Sequence, residues 1–111
     1  MLKKQNRLGK TIKKTKGVTF TSPLLNLKIS DNEEHVSRFR FVISKKISKK
    51  AVVRNRIKRI LSKIIEEDLE KIKKGKNIIF ILKKEIKQEE KEEIKKAIKA
   101  ILARANVLKS Q

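Results

Sequence analysis

From Val53 onward the apolar residues fall mostly three or four apart: Val53, Ile57, Ile60, Leu61, Ile64, Ile65 and Ile72. On a helix of about 3.6 residues per turn this spacing gathers them into one stripe. The segment from about Ala51 to Lys74 therefore has to lie with that stripe against other apolar surface. Ser48 stands where an N-cap is wanted. Gly75 stops the helix in the manner of a C-terminal cap, and Lys71, Lys73 and Lys74 complement the dipole of its last turns.

The flanking segments supply the surface. From Val18 to Ile29 the pattern is strand-like: after a break at Pro23, Leu25, Leu27 and Ile29 alternate with Asn26 and Lys28. Ser30 to Glu34 is a polar turn. Phe39, Phe41 and Ile43 then occupy one face of a second strand, with Arg38, Arg40 and Val42 on the other. The two strands are expected to form a hairpin with one face on a core and one face cationic. Asn77 to Leu82 is a continuous apolar run, as a strand buried on both faces requires. From about Gln88 to Arg104 a second amphipathic helix carries Ile94, Ala97, Ile98, Ile101 and Leu102 on one side. The first 16 residues are polar, basic and weakly patterned, and read as a flexible arm or a short helix. The order arm, strand, strand, helix, strand, helix predicts an α+β fold, a small mixed sheet with helices packed on it. It is expected as a single domain over residues 1–111 with a basic arm at about 1–16.

Charge decides the partner. Lys and Arg number 32 against 12 Asp and Glu, a formal net charge of +20. A compact state this charged repels itself and is best neutralised by a polyanion. Nucleic acid fits, because each neutralised phosphate releases counterions. An AT-rich genome accounts for Lys in place of Arg, but not for such an excess over acids. Residues 1–16 and 36–65 are basic and contain no acid, whereas nine of the twelve acids fall between Glu66 and Glu93 among lysines. The front and middle of the chain should therefore meet the partner. With no Cys, disulfides and thiolate metal sites are excluded, which suits a reducing cytoplasm. No apolar stretch approaches the length of a transmembrane helix, and none follows the basic N-terminus as in a secretory signal.

The sharpest local feature is Arg54-Asn55-Arg56-Ile57-Lys58-Arg59. With Ile57, Ile60, Leu61 and Ile64 on the core, Asn55, Arg59 and Ser62 should point outward. Arg56 and Lys63 flank them on one side and Lys58 on the other. Near a helix N-terminus the dipole adds to this charge. Guanidinium groups bridge two phosphate oxygens or stack on bases as lysine does not. In a lysine-rich chain, Arg40, Arg54, Arg56 and Arg59 close to one another read as selected. A solvated helix face is the ordinary explanation of a charge run, but such faces mix signs, as Glu89, Glu90, Glu92 and Glu93 do among the lysines of the last helix. Chemistry of another kind is not indicated. There is no Gly-rich phosphate loop and no nucleophile beside a base. His35, beside Glu33 and Glu34 in a turn, reads as a solvated loop histidine, and Phe39, Phe41 and Phe80 read as core.

The stretch Phe41-Val42-Ile43-Ser44-Lys45-Lys46-Ile47, followed by Ala51-Val52-Val53-Arg54-Asn55-Arg56-Ile57-Lys58-Arg59, resembles the signature of the bacterial ribonuclease P protein component. In that family a strand ending in Ser-Lys-Lys leads into a helix bearing Arg-Asn-Arg. The size, the basicity, the early Asn6-Arg7-Leu8, the strand at Asn77–Leu82 and the closing helix fall in the family's order. The resemblance implies a left-handed βαβ crossover, against the usual hand. It implies a protein cofactor of a catalytic RNA that removes the 5′ leader of precursor tRNA, the RNA performing hydrolysis with Mg²⁺. No catalytic residue, cofactor, metal or protein partner is then expected of the chain itself. Carried over residue by residue, Arg54, Asn55, Arg56, Lys58 and Arg59 face the catalytic RNA. Lys45 and Lys46 add phosphate contacts, with Lys63 and Arg40 beside them. The leader would lie near Arg38 and Phe20, the latter facing either leader or core. The family usually carries aromatics in its first helix and on the leader-facing strand. Here Gly9 to Lys16 has none, and the chain has no Tyr or Trp. Since each stacked base contributes roughly 1–3 kcal/mol, leader contact would rest on aliphatic and cationic groups. A ribosomal-protein-like module binding rRNA is the alternative. A protein-only nuclease and a membrane-surface binder lack, respectively, a carboxylate or His cluster and uncommitted apolar stripes.

Overall fold

A computed structural model of the chain describes Asn6, residues 17–32, Glu34 and residues 36–108. The rest of the expected arm, and His35, lie outside the described residues. The elements are β1 (Val18–Thr21), β2 (Leu25–Asp31), β3 (Arg38–Val42), α1 (Ala51–Glu67), β4 (Lys76–Leu82) and α2 (Lys91–Arg104), with short 3₁₀ turns at Leu69–Lys71 and Gln88–Glu90. The class is α+β with a mixed four-stranded sheet, ordered β1-β2-β4-β3. β1 and β2 are antiparallel, β2 and β4 antiparallel, and β3 and β4 parallel.

Two strand expectations are corrected. The Val18–Ile29 stretch makes two strands, folded at Pro23, where no backbone donor is needed. Ser22 closes that turn, its Oγ donating to the Leu25 carbonyl at 2.6 Å. The hairpin is therefore β1–β2, and β2 does not pair with β3. β4 stands between them, aligning Leu82, Phe80 and Ile78 with Leu25, Leu27 and Ile29 on one side and Ile78 and Phe80 with Phe39 and Phe41 on the other. Alternation reveals which face of a strand is buried, but not which strand lies beside it.

One face of this sheet makes the core together with Ile57, Ile60, Leu61, Ile64 and Ile65 of α1 and Ile94, Ile98, Ile101 and Leu102 of α2. Phe41 and Phe80 stack within it, centroids 5.6 Å apart. Phe20 and Phe41 are half-buried against its edge. β4 is not enclosed on both faces as expected: Ile78, Phe80 and Leu82 are buried, while Ile79 and Ile81 on the other face are half-covered.

The ends of α1 also differ from expectation. Lys50, not Ser48, is the N-cap residue, and no side chain caps the helix. The Ser48 Oγ instead accepts the Lys50 N–H at 3.3 Å. The helix stops at Glu67, because Ile72 is buried in an isolated bridge to Leu108 and the Lys73 N–H donates to the Val107 carbonyl at 2.7 Å. Gly75 serves the turn into β4, at φ 81°. Its carbonyl accepts from the Asn32 N–H at 2.9 Å, and a Cβ there would come within 3.0 Å of the Glu34 carbonyl.

Ser37 ties the starts of β3 and β4 together. Buried, it donates through Oγ to the Lys73 carbonyl at 2.6 Å, accepts the Lys76 N–H at 3.2 Å, and offers its carbonyl to the Asn6 side-chain amide at 2.8 Å. Removing the hydroxyl strands two partly buried backbone groups. Ser37→Ala should therefore lower unfolding free energy by about 1–3 kcal/mol in urea titrations; a loss no larger than an average surface change, about 0.5 kcal/mol, would remove Ser37 from this role.

Candidate nucleic-acid interface

β3 runs into a turn at residues 44–48, in which the Ile47 N–H donates to the Ser44 carbonyl at 3.0 Å. Lys45 and Lys46 are exposed on it. α1 follows with no acid in its first turn and no side-chain cap. Its unsatisfied N–H groups and the positive end of its dipole therefore add to the lysines around them. Along the outward side Asn55, Lys58, Arg59 and Lys63 are exposed, with Val52 among them at 80% exposure. Asn55, Arg59 and Lys63 are four apart and so form one row.

Not every residue of the expected face belongs to it. Ser62 is buried at 4% exposure, because the covered arc of α1 is wider in its second half and a small hydroxyl fits at its edge. Arg54 and Arg56 are half-buried and engaged within the protein. Arg54 Nη1 donates to the Ser48 carbonyl at 2.9 Å and Arg56 Nη2 to the Ile86 carbonyl at 3.1 Å. Arg40 and Arg38 are not brought to this face at all. They alternate with the buried Phe39 and so lie on the sheet face turned away from the helices. There they join Asn26, Lys28, Val42, Asn77, Ile79 and Ile81, which the strand registers place on the same side. Phe20 is on the opposite, core-facing side with its partner Leu27. Of its two readings the structure selects the core.

The face formed by Asn26, Lys28, Ile79 and Ile81 was missed by sequence reasoning as a unit. Alternation marks each of these as outward on its own strand, but only the β2–β4 pairing joins them. Asn26 Oδ1 is buried there without a hydrogen-bond partner.

Ion pairs collect on the α2 side of the molecule, apart from Arg38 with Glu34 at 2.9 Å and Lys76 with Asp31 at the strand ends. Glu67 pairs with Lys95 at 3.3 Å, Asp68 with Lys71 and Lys99 at 3.8 and 3.9 Å, and Glu90 with Lys84 at 3.8 Å. Lys45, Lys46, Lys58, Arg59 and Lys63 have no ion pair among the described residues. Also among the described residues, no group of three or more His, Cys, Asp or Glu is placed to hold a metal, and no helix is long and apolar enough to cross a membrane.

An uncompensated cationic helix face on a mixed α+β sheet defines a nucleic-acid-binding protein. Comparison with known proteins gives it a lineage. The family model for ribonuclease P matches residues 1–106. The ribonuclease P protein component of Alkaliphilus oremlandii is 33% identical over 109 residues, covering 98% of this chain and 93% of that one. That of a Pseudanabaena species is 36% identical over 113 residues, covering 97% of each. Among solved structures, the ribonuclease P protein of Staphylococcus aureus superposes with a TM-score of 0.69 at 26% identity, over all of this chain and 97% of that one. The Thermotoga maritima protein shares the fold, with a TM-score of 0.65 at 23% identity over 79% of this chain and 83% of that one. The chain belongs to the ribonuclease P protein family, the protein cofactor of ribonuclease P in 5′ processing of tRNA, and binds RNA in that capacity.

Arg59 tests the face directly, since it is exposed and has no ion pair or side-chain hydrogen bond among the described residues. Arg59→Ala should leave stability within about 0.5 kcal/mol of the parent. It should weaken binding to ribonuclease P RNA and reduce the slope of log affinity against log salt by about 1. An unchanged slope would take Arg59 off the phosphate backbone.

Proposed function

We propose that this chain docks on the catalytic RNA of ribonuclease P through the outward face of α1 and the turn before it, and offers the second face of its sheet to the 5′ leader of precursor tRNA. The observation that carries the docking surface is the set of Lys45, Lys46, Lys58, Arg59 and Lys63, one-signed and without ion pairs among the described residues, beside an uncapped helix start. Asn55 lies in the same row and can read as well as hold, since its amide both donates and accepts. The RNA, with its Mg²⁺, performs phosphodiester hydrolysis, and the protein supplies charge and surface in the cytoplasm.

For the leader, the second sheet face combines what the missing aromatics leave available. Ile79, Ile81 and Val42 give half-covered aliphatic surface, and Lys28 and Arg40 flank it with charge, beside Arg38 in its pair with Glu34 at 2.9 Å.

Reconstitution decides both parts. The protein with a transcribed bacterial ribonuclease P RNA should accelerate precursor-tRNA cleavage at low Mg²⁺, while the protein alone leaves the precursor intact. No stimulation of that RNA, or cleavage by the protein alone, would sink the reading. Within the reconstituted enzyme, Lys28→Ala combined with Arg40→Ala should weaken binding of precursor tRNA several-fold, by about 1 kcal/mol or more, with little effect on mature tRNA. An equal loss for both substrates would move the leader off this face.

A further inference from the structure

Arg54 and Arg56 differ from the rest of the basic run in where their guanidinium groups end. Two residues apart on a helix means a rotation of about 200°, so the two side chains leave α1 on opposite sides. Arg54 reaches back to the Ser48 carbonyl at 2.9 Å. That carbonyl closes the turn in which the N–H groups of Ile47 and Ser48 both point at the Ser44 carbonyl, at 3.0 and 3.4 Å. Lys45 and Lys46 are exposed on this turn, beside the exposed Ser44. Arg56 reaches the other way, to the Ile86 carbonyl at 3.1 Å in the connector between β4 and α2. Ile86 is itself 1% exposed, and the Arg56 Nε is buried without a partner, so this guanidinium is committed to the protein side. Both acceptors sit in segments without a helix or sheet ladder of their own. Each is held by one guanidinium nitrogen of a long, planar side chain, and a lysine at either position would keep the charge but not the geometry that meets the carbonyl.

We propose, resting on the reading of α1 as the RNA-docking face, that Arg54 is a positioning residue: it acts on RNA through the turn it fastens, presenting Lys45 and Lys46 beside the helix start. Arg56 fastens the opposite flank in the same way, so that the helix carries its own neighbours at fixed distances. The direct phosphate contacts are then Lys45, Lys46, Lys58, Arg59 and Lys63. In this arrangement Arg54 and Arg56 matter for RNA binding because of carbonyls inside the protein.

A double-mutant cycle on the full chain distinguishes this from direct contact. Affinity for a transcribed bacterial ribonuclease P RNA is measured for the parent, for Arg54→Lys, for Lys45→Ala with Lys46→Ala, and for the triple variant. Arg54→Lys, which keeps the charge, should weaken binding about tenfold in the parent but less than about twofold once Lys45 and Lys46 are gone, because residues acting as a unit are non-additive. A role in stability alone would not produce that coupling. In the free protein, amide hydrogen exchange over residues 45–49 should accelerate in Arg54→Lys while exchange in β4 does not change. Parent-like affinity of Arg54→Lys, or an equal tenfold loss in both backgrounds, overturns the proposal. If the parent chain fails to bind this RNA, the docking reading falls. The exchange measurement still judges the fastening, which unchanged rates over 45–49 would refute.

Discussion

β3 and β4 lie side by side and run parallel, and from that pairing the placement of the interface follows. A parallel pair cannot be closed by a tight turn, because the chain leaves one strand at the end opposite to where it must start the next. It has to travel back along the sheet, and α1 makes the journey. The lengths agree: 17 helical residues at about 1.5 Å each cover roughly 25 Å, and the seven residues of β4 at about 3.3 Å cover roughly 23 Å. Once Glu67 is reached the sheet has been crossed. Seven more residues of helix would overshoot the start of β4, so the chain tightens into a 3₁₀ turn, buries Ile72 against Leu108 and reverses at Gly75. The apolar stripe must face the sheet along the whole crossing. The opposite side of the helix is exposed for the same reason, and it carries Asn55, Arg59 and Lys63.

Electrostatics then distinguishes one surface from another. Ion pairs of α2 and the helix ends are at least partly open to solvent, and each stabilises by about 1 kcal/mol. Their effect is chiefly to cancel charge locally, leaving the back of the molecule an ordinary mixed-sign surface. The start of α1 has no such cancellation. Like charges within a screening length of about 8–10 Å repel one another in the free protein, and an uncapped helix start adds its own positive end. A surface arranged in this way costs stability until a polyanion arrives, and its worth lies in the counterions that binding releases.

Much of this was legible in the sequence, and the failures share a cause. Periodicity identified the stripe of α1, the inward residues of β2 and β3, and the α2 face, because each is a property of one segment. Strand neighbours are not. The β2–β3 hairpin was the economical guess for adjacent strands, and β4 displaced it because its apolar side chains at Ile78 and Phe80 fit between Leu27 or Ile29 and Phe39 or Phe41. The end of α1 was misplaced because Ile72 continues the sequence pattern while its burial is achieved by an extended bridge. The hydrogen bonds of Arg54 and Arg56 were not legible either, since a long side chain can leave a polar flank and turn back to a carbonyl. Ser37, an unremarkable serine in sequence, joins three segments that are far apart along the chain.

The sheet also divides the two proposed RNA surfaces. β3 contributes Phe39 and Phe41 to the core side and Arg38 and Arg40 to the other, so one strand borders both. Its last residues feed directly into the turn that carries Lys45 and Lys46, and that turn is fastened to α1 by Arg54. Catalytic RNA on α1 and leader on the sheet would therefore be held apart by the thickness of a packed sheet and a helix layer, with no flexible joint between them. Packed interiors deform little, so the separation is fixed before either RNA arrives. A cofactor that contributes no reacting group can still set the cleavage register in this way, by fixing how far the leader lies from the RNA that cuts it. In such a design the buried isoleucines of α1 and the paired strands beneath them are as much a part of recognition as the lysines that touch phosphate.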